Sequence, residues 1–131
     1  MENISGIMFV CNHNSRRSQI AEAFAKRICD GSVRVESAGL HSTYIAPEVI
    51  SVMNEVGVVM DGHSSNTLSE YESSEFDVVV CMCGCYESLP EEWQKANHLF
   101  DWKIDDPKGK GVDDYRQVRD VIKTKVQSLL D

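Results

Sequence analysis

Cys11 heads the segment Cys11-Asn12-His13-Asn14-Ser15-Arg16-Arg17-Ser18, with Arg17 six positions on and Ser18 directly after it. A thiolate is the nucleophilic form of cysteine, and a guanidinium fork matches the oxygens of a tetrahedral oxyanion. A hydroxyl next to that arginine can donate to the sulfur. Two further stretches carry chemistry. Cys81, Cys83 and Cys85 alternate along the chain, and Asp105-Asp106 precedes Pro107. Cys29 completes an odd set of five cysteines, which argues against a structural disulfide framework and for thiol chemistry. A zinc site from Cys81, Cys83, Cys85 and a histidine is disfavoured, because paired zinc cysteines usually have two or more residues between them. Cys81 and Cys29 read as buried apolar thiols. No metal site and no cofactor are expected.

A cysteine and an arginine at this spacing prove little in a chain with five cysteines, so the elements that would position them carry the weight. Ile7-Met8-Phe9-Val10 is a short apolar run, read as a buried strand. After it, Ile20, Phe24 and Ile28, with Ala21 and Ala25, give a helix over roughly residues 17 to 29. A loop between a buried strand and a helix N-terminus points backbone N–H groups and partial positive charge at an anion. The chain needs such a field locally, because its net charge of −8 repels anions at long range. The same field favours the thiolate of Cys11. Asn12, His13, Asn14, Ser15, Arg16 and Ser18 complete the expected oxyanion loop. Asn14 is expected to brace it through its amide, Ser18 to donate to the sulfur, and His13 to be an exposed loop residue.

Val33 to Ser37 alternates like a strand, and Ala38-Gly39 reads as a turn. Pro47 suits the first turn of a helix whose apolar face is Val49, Ile50, Met53 and Val56, with Gly57 as its stop. Asp61 to Ser74 is polar, with a helical turn near Leu68. Phe76 to Cys83 reads as a central strand covered on both faces. Pro90 to Trp93 starts a short helix, and His98 to Trp102 is a fourth strand. A last helix places Tyr115, Val118, Val121, Ile122, Val126 and Leu129 on one side. This order predicts a single α/β domain over residues 1–131, with a four-stranded parallel sheet and helices on both faces. Sites in such sheets lie outside the C-terminal strand ends. The exits at Cys11, Cys83 and Asp105-Asp106 are therefore expected to converge.

Apolar residues make up 42% and charged residues 26% of the chain, an ordinary globular balance. The acidic surface disfavours nucleic acid and anionic membranes as partners, and no run reaches the roughly 18 apolar residues of a membrane span. Met1 to Ser5 has no secretory pattern, so a reducing cytoplasmic home is expected.

Cys-x5-Arg-Ser between a first strand and a first helix resembles the anion loop of low-molecular-weight protein tyrosine phosphatases and of the arsenate reductases that share their fold. Ser15-Arg16-Arg17-Ser18-Gln19-Ile20-Ala21-Glu22 resembles the loop-to-helix junction of that family. Glu36-Ser37-Ala38-Gly39-Leu40 resembles the exit of its second strand, and Trp102-Lys103-Ile104-Asp105-Asp106-Pro107 its acid loop. Met82-Cys83-Gly84-Cys85 and Leu89-Pro90-Glu91-Glu92-Trp93 resemble the cyanobacterial glutaredoxin/glutathione-linked arsenate reductases in particular. Lys108 stands where the tyrosine phosphatases usually carry an aromatic. His13 and Arg16 also depart from related reductases. Some relatives hold a potassium ion near positions matching Asn14, Glu22 and Ser37, where the further acidic partner is Asn66 in this chain.

The resemblance implies reduction of arsenate to arsenite in arsenic detoxification, with phosphate as a competing anion. Cys11 is then the nucleophile, Arg17 the oxyanion grip and Asp106 the acid. Cys83 and then Cys85 carry the disulfide away. A bridge between residues i and i+2 needs Gly84 to bend the chain, and such a bridge is expected to be easily reduced. Glutaredoxin with glutathione is the expected reductant, and thioredoxin the second choice. Two other functions use the same loop. A phosphatase needs only Cys11, Arg17 and Asp106, and weak phosphatase activity is expected in any case. A phosphocarrier or redox sensor needs no general acid.

Overall fold

The computed structural model describes residues 4–131, so Met1, Glu2 and Asn3, on which the reading of the N-terminus partly rests, lie outside the described residues. The described residues form four strands: β1 (Gly6–Cys11), β2 (Arg34–Gly39), β3 (Val78–Cys81) and β4 (His98–Asp101). Three α-helices accompany them: α1 (Arg17–Cys29), α2 (Pro47–Glu55) and α3 (Val112–Leu130). The strands form one sheet in the order β2-β1-β3-β4, and all three pairings are parallel.

Strand alternation splits the core. Ile7, Phe9, Cys11, Val78 and Val80 point to one face and pack with residues of all three α-helices. Met8, Val10, Val79 and Cys81 point to the other, against Leu68, Phe76, Leu89 and Trp93. Helical segments thus cover both faces, but unequally. The second face is covered by short 3-10 segments at Leu68–Glu70, Tyr86–Ser88 and Glu91–Lys95 and their connecting loops.

Several expected boundaries move. Ala38 and Gly39 belong to β2, because Val10 pairs with Ala38 and Cys11 with Gly39. β3 is shorter than its apolar run, so Met82 and Cys83 lie beyond the strand rather than at its end. Met82 still donates its N–H to the Val10 carbonyl at 2.8 Å, so it follows β1 past the formal end of the strand. On α2, Val52 is buried and Ile50 is exposed, the reverse of the reading that put Ile50 on the core face. On α3, Val121 is likewise exposed, while Tyr115, Val118, Ile122 and Val126 are buried. Helix 3.6-periodicity assigns a stripe, and residues at its margin go to whichever side the neighbouring element reaches.

No helix among the described residues is long and apolar enough to cross a membrane.

Candidate active site

β1 delivers Cys11 to the C-terminal edge of the sheet, where its thiol is buried and free. The chain then turns through Asn14, which has a left-handed backbone (φ +50°). Asparagine tolerates that region better than most residues. Arg16 caps α1 and Arg17 opens it, with no acidic residue in the first turn, so the positive end of the helix faces the loop uncompensated.

The loop is held from beneath by a polar chain. Asn14 Oδ1 accepts from the Asn66 N–H at 2.8 Å and from Gln19 Nε2 at 3.0 Å, which fixes which end of its amide faces inward. Asn14 Nδ2 therefore donates to Ser18 Oγ at 2.8 Å and to Ser37 Oγ at 2.9 Å. Ser18 Oγ lies 2.8 Å from Cys11 Sγ. Because Ser18 accepts from Asn14, its own proton is directed at the sulfur, where it stabilises a thiolate. Ser37 in turn donates to Glu22, whose other oxygen meets Lys26 Nζ at 2.5 Å.

The potassium fit can be judged from this chain. Glu22 already has the Lys26 ammonium beside it, Asn14 turns its NH2 and not its oxygen toward Ser37, and the expected acidic partner is Asn66. These residues do not fit an alkali cation. No cluster of three or more His, Cys, Asp or Glu suited to a metal occurs among the described residues.

Arg17 is buried. It donates from Nη1 to the Ile104 carbonyl at 2.8 Å, and its Nη2 lies 3.5 Å from Asp106 Oδ2. Arg17 Nε is a buried donor with no partner among the described residues. Asp106 is the more exposed partner, at 41% for its side chain against 9% for that of Arg17. Its Oδ1 accepts from the Lys108 N–H at 3.0 Å, so it also closes the turn before Pro107's successor. Cys11, His13, Ser15, Arg16, Arg17 and Asp106 line one tight cleft. The first and fourth strand exits therefore meet, as expected. Asp105 stays outside this cleft. Asn12 and His13 are exposed, and Arg16 lines the cleft while donating from Nε to the Tyr115 hydroxyl at 3.1 Å.

The third exit joins through the backbone. Ile104 N–H donates to the Met82 carbonyl at 2.7 Å, while the Ile104 carbonyl accepts from Arg17. One residue thus links the cysteine segment to the anion grip. Cys83 and Cys85 are disulfide-bonded, with Cα atoms 5.2 Å apart, and Gly84 between them has φ +71°. The expected bend at Gly84 is present. Cys81 is buried, and burial with the nearby Asp101 charge pushes its thiol up to about 12. Burial also raises Cys29. Cys81 is buried as expected, whereas Cys29, expected to be buried, is only partly so, because it ends α1 at the rim of the core.

Some residues were not legible as site residues beforehand. Gly39 is the clearest: a Cβ there would meet Asn14 N at 2.8 Å and Asn12 O at 2.9 Å, so β2 presses directly on the anion loop. The only signal in the sequence is a glycine after Ser37-Ala38, which by itself suggests a turn. Gln19 is fully buried and bonds the Asn14 and Ser64 carbonyls; nothing in its helical position foretold that.

A family model for low molecular weight phosphotyrosine protein phosphatase matches residues 6–131. The glutaredoxin arsenate reductase of Synechocystis sp. is 40% identical over 124 residues, covering 95% of each chain. A solved arsenate reductase in the phosphate binding state superposes with TM-score 0.89 at 39% identity, and one in the oxidized state with TM-score 0.90 at 38%; both comparisons cover 95% of each chain. With a buried thiol, an arginine and an aspartate around one cleft, and this match across nearly its whole length, the chain belongs to the low-molecular-weight phosphotyrosine protein phosphatase family.

Proposed function

We propose that this chain is an arsenate reductase, converting arsenate to arsenite by a three-cysteine relay. The observation that carries the reading is a Cys83–Cys85 disulfide and a free Cys11 on loops leaving adjacent strands. Phosphate-ester hydrolysis needs one thiol, whereas reduction of arsenic(V) takes two electrons, which two thiols supply by closing to a disulfide.

Cys11 thiolate attacks arsenic(V), and Asp106 protonates the departing oxygen. Arg17 holds the remaining oxygens, taking them up with the guanidinium face now turned to Asp106. Cys83 thiolate attacks Cys11 Sγ. The sulfur–arsenic electron pair passes to arsenic, arsenite leaves, and a Cys11–Cys83 disulfide remains. Cys85 thiolate attacks Cys83, and Cys11 departs as a thiolate. The product is the Cys83–Cys85 bridge. Asn12, His13, Asn14, Ser15, Arg16 and Ser18 form the oxyanion loop in this scheme. Ser18 meets the sulfur directly, Asn14 orients Ser18, and Arg16 ties the loop to α3 through Tyr115.

Glutaredoxin with glutathione is the proposed reductant, supported by the 40% identical Synechocystis protein, with thioredoxin the alternative. Phosphate is the proposed competing anion, supported by the phosphate-bound relative. A reducing cytoplasm is the compartment that this chemistry needs. The test is arsenate-dependent NADPH oxidation with glutaredoxin, glutathione and glutathione reductase. Cys83→Ser and Cys85→Ser should each lose sustained turnover; full turnover in both would overturn the relay.

A further inference from the structure

The segment Cys83-Gly84-Cys85 has no cation of its own. The charged residues on the flanking stretches, Glu87, Asp101 and Asp105, are acidic, on a chain of net charge −8. Opening the disulfide there creates negative charge in negative surroundings. One cation, Lys103, comes in from the stretch after β4. Trp102 N–H donates to the Cys81 carbonyl at 2.8 Å and Ile104 N–H to the Met82 carbonyl at 2.7 Å. These bonds clamp both neighbours of Lys103 to the exit of β3. Lys103 between them has a left-handed backbone (φ +51°), a conformation that costs a non-glycine residue about 1–2 kcal/mol. Its stem lies over Gly84: a Cβ built there would meet Lys103 Cγ at 3.4 Å and Cδ at 3.9 Å. No carboxylate pairs with its ammonium among the described residues.

We propose that Lys103 is the positioning residue of the redox loop, its ammonium meeting the thiolates of Cys83 and Cys85 as their disulfide opens. The inference rests on the relay reading of these two cysteines. A thiolate of the reductant attacks one sulfur of the bridge and forms a mixed disulfide, and the other sulfur leaves as a thiolate. A second thiol of the reductant, deprotonated, resolves the mixed disulfide and releases the second cysteine as a thiolate. Two electrons enter, the reductant ends as a disulfide, and the charge left on the protein falls beside Lys103. A better-stabilised leaving thiolate departs faster and raises the reduction potential of the pair.

The test is the equilibrium of the Cys83–Cys85 pair in dithiothreitol redox buffers at pH 7, in the Cys11→Ser background, read by alkylation and mass. Lys103→Gln should shift the equilibrium about threefold to tenfold toward the disulfide, a potential lower by about 14–30 mV. Lys103→Arg should restore it. Lys103→Gly suits the left-handed backbone and keeps the loop without the charge, so it should shift the equilibrium as Lys103→Gln does. An unchanged equilibrium in both the Gln and Gly variants would overturn the proposal. Because no arsenate enters this measurement, failure of the arsenate reading would appear separately, as absent turnover in a protein whose potential still responds to Lys103.

Discussion

The loop at Cys11 and the loop at Cys83 leave neighbouring strands, yet they are held in opposite ways. The first is fixed by side chains. Asn14 alone bonds Ser18, Ser37, Gln19 and the Asn66 backbone, and Gly39 is pressed against its peptide planes. The second has no side-chain hydrogen bond on residues 83–88 among the described residues, and Cys83 and Gly84 are partly or fully exposed. It is held by its own disulfide, by the buried Cys85 and by backbone bonds in and beside it. A nucleophile that must meet a rigid oxyanion benefits from pre-organisation, whereas a shuttle must visit two partners and cannot be fixed on one. On the proposed relay, the loop with the denser side-chain bonding belongs to the step that binds the oxyanion and the other to the step that passes the disulfide on.

The largest effect that would break this contrast is chemical. Cys11→Ser should lower both arsenate reduction and p-nitrophenyl phosphate hydrolysis by about 1000-fold or more, as loss of a nucleophile does. Cys83→Ser should remove sustained arsenate turnover and leave the phosphate ester activity within about twofold of wild type. A parallel loss of both activities in Cys83→Ser would mean that the second loop also shapes the anion site.

Asn14→Ala should cost about 3 kcal/mol in urea unfolding, since several buried partners lose their hydrogen bonds together. It should also slow iodoacetamide capture of Cys11. No side chain of the Cys83 loop should approach that cost.

Two glycines give a smaller and more direct comparison. Gly39→Ala would drive a Cβ into backbone atoms of the anion loop, and about 2–3 kcal/mol of destabilisation is expected. Gly84→Ala meets only the flexible Lys103 stem, so the left-handed backbone sets its cost at about 1–2 kcal/mol. Equal costs by thermal or urea unfolding would remove the distinction between the loops.

The smallest effect is on the alkaline limb of stability. Burial raises the Cys81 thiol from 9.0 to about 12. Its neutral form is thus favoured in the folded state. That contribution is complete below the unfolded value and is lost as pH rises from about 9 toward 12. Tyr71, raised by burial from 10.0 to about 12, adds to the same decline. Cys81→Val should flatten the fall in stability over this window and leave arsenate turnover at neutral pH unchanged. A steeper fall in the variant would show the sign to be wrong.

Some of this was legible in the residues. Helix α1 runs over Arg17–Cys29 as its apolar spacing indicated, and Pro47 opens α2. Both signals are local: periodicity and a fixed proline φ act within a few residues. Gly84 was also legible, because a bridge two residues apart requires a bend wherever it sits. The margins of helices were not. Ile50 and Val52 are equally apolar, and which of them is covered depends on where α3 passes.

The sequence by itself determined the order of strands and helices, the thiol at a helix N-terminus and the spacing of the distal cysteines, because each is written in neighbouring residues. Only the tertiary structure decided what lies beneath the anion loop and what ties the loops together. Asn14 meets Ser37 and Asn66, Gly39 meets Asn12, and Ile104 sits between Met82 and Arg17 across long stretches of chain. Parallel pairing sets those meetings by register, and a polar side chain carries no mark of its partner until the sheet brings it there.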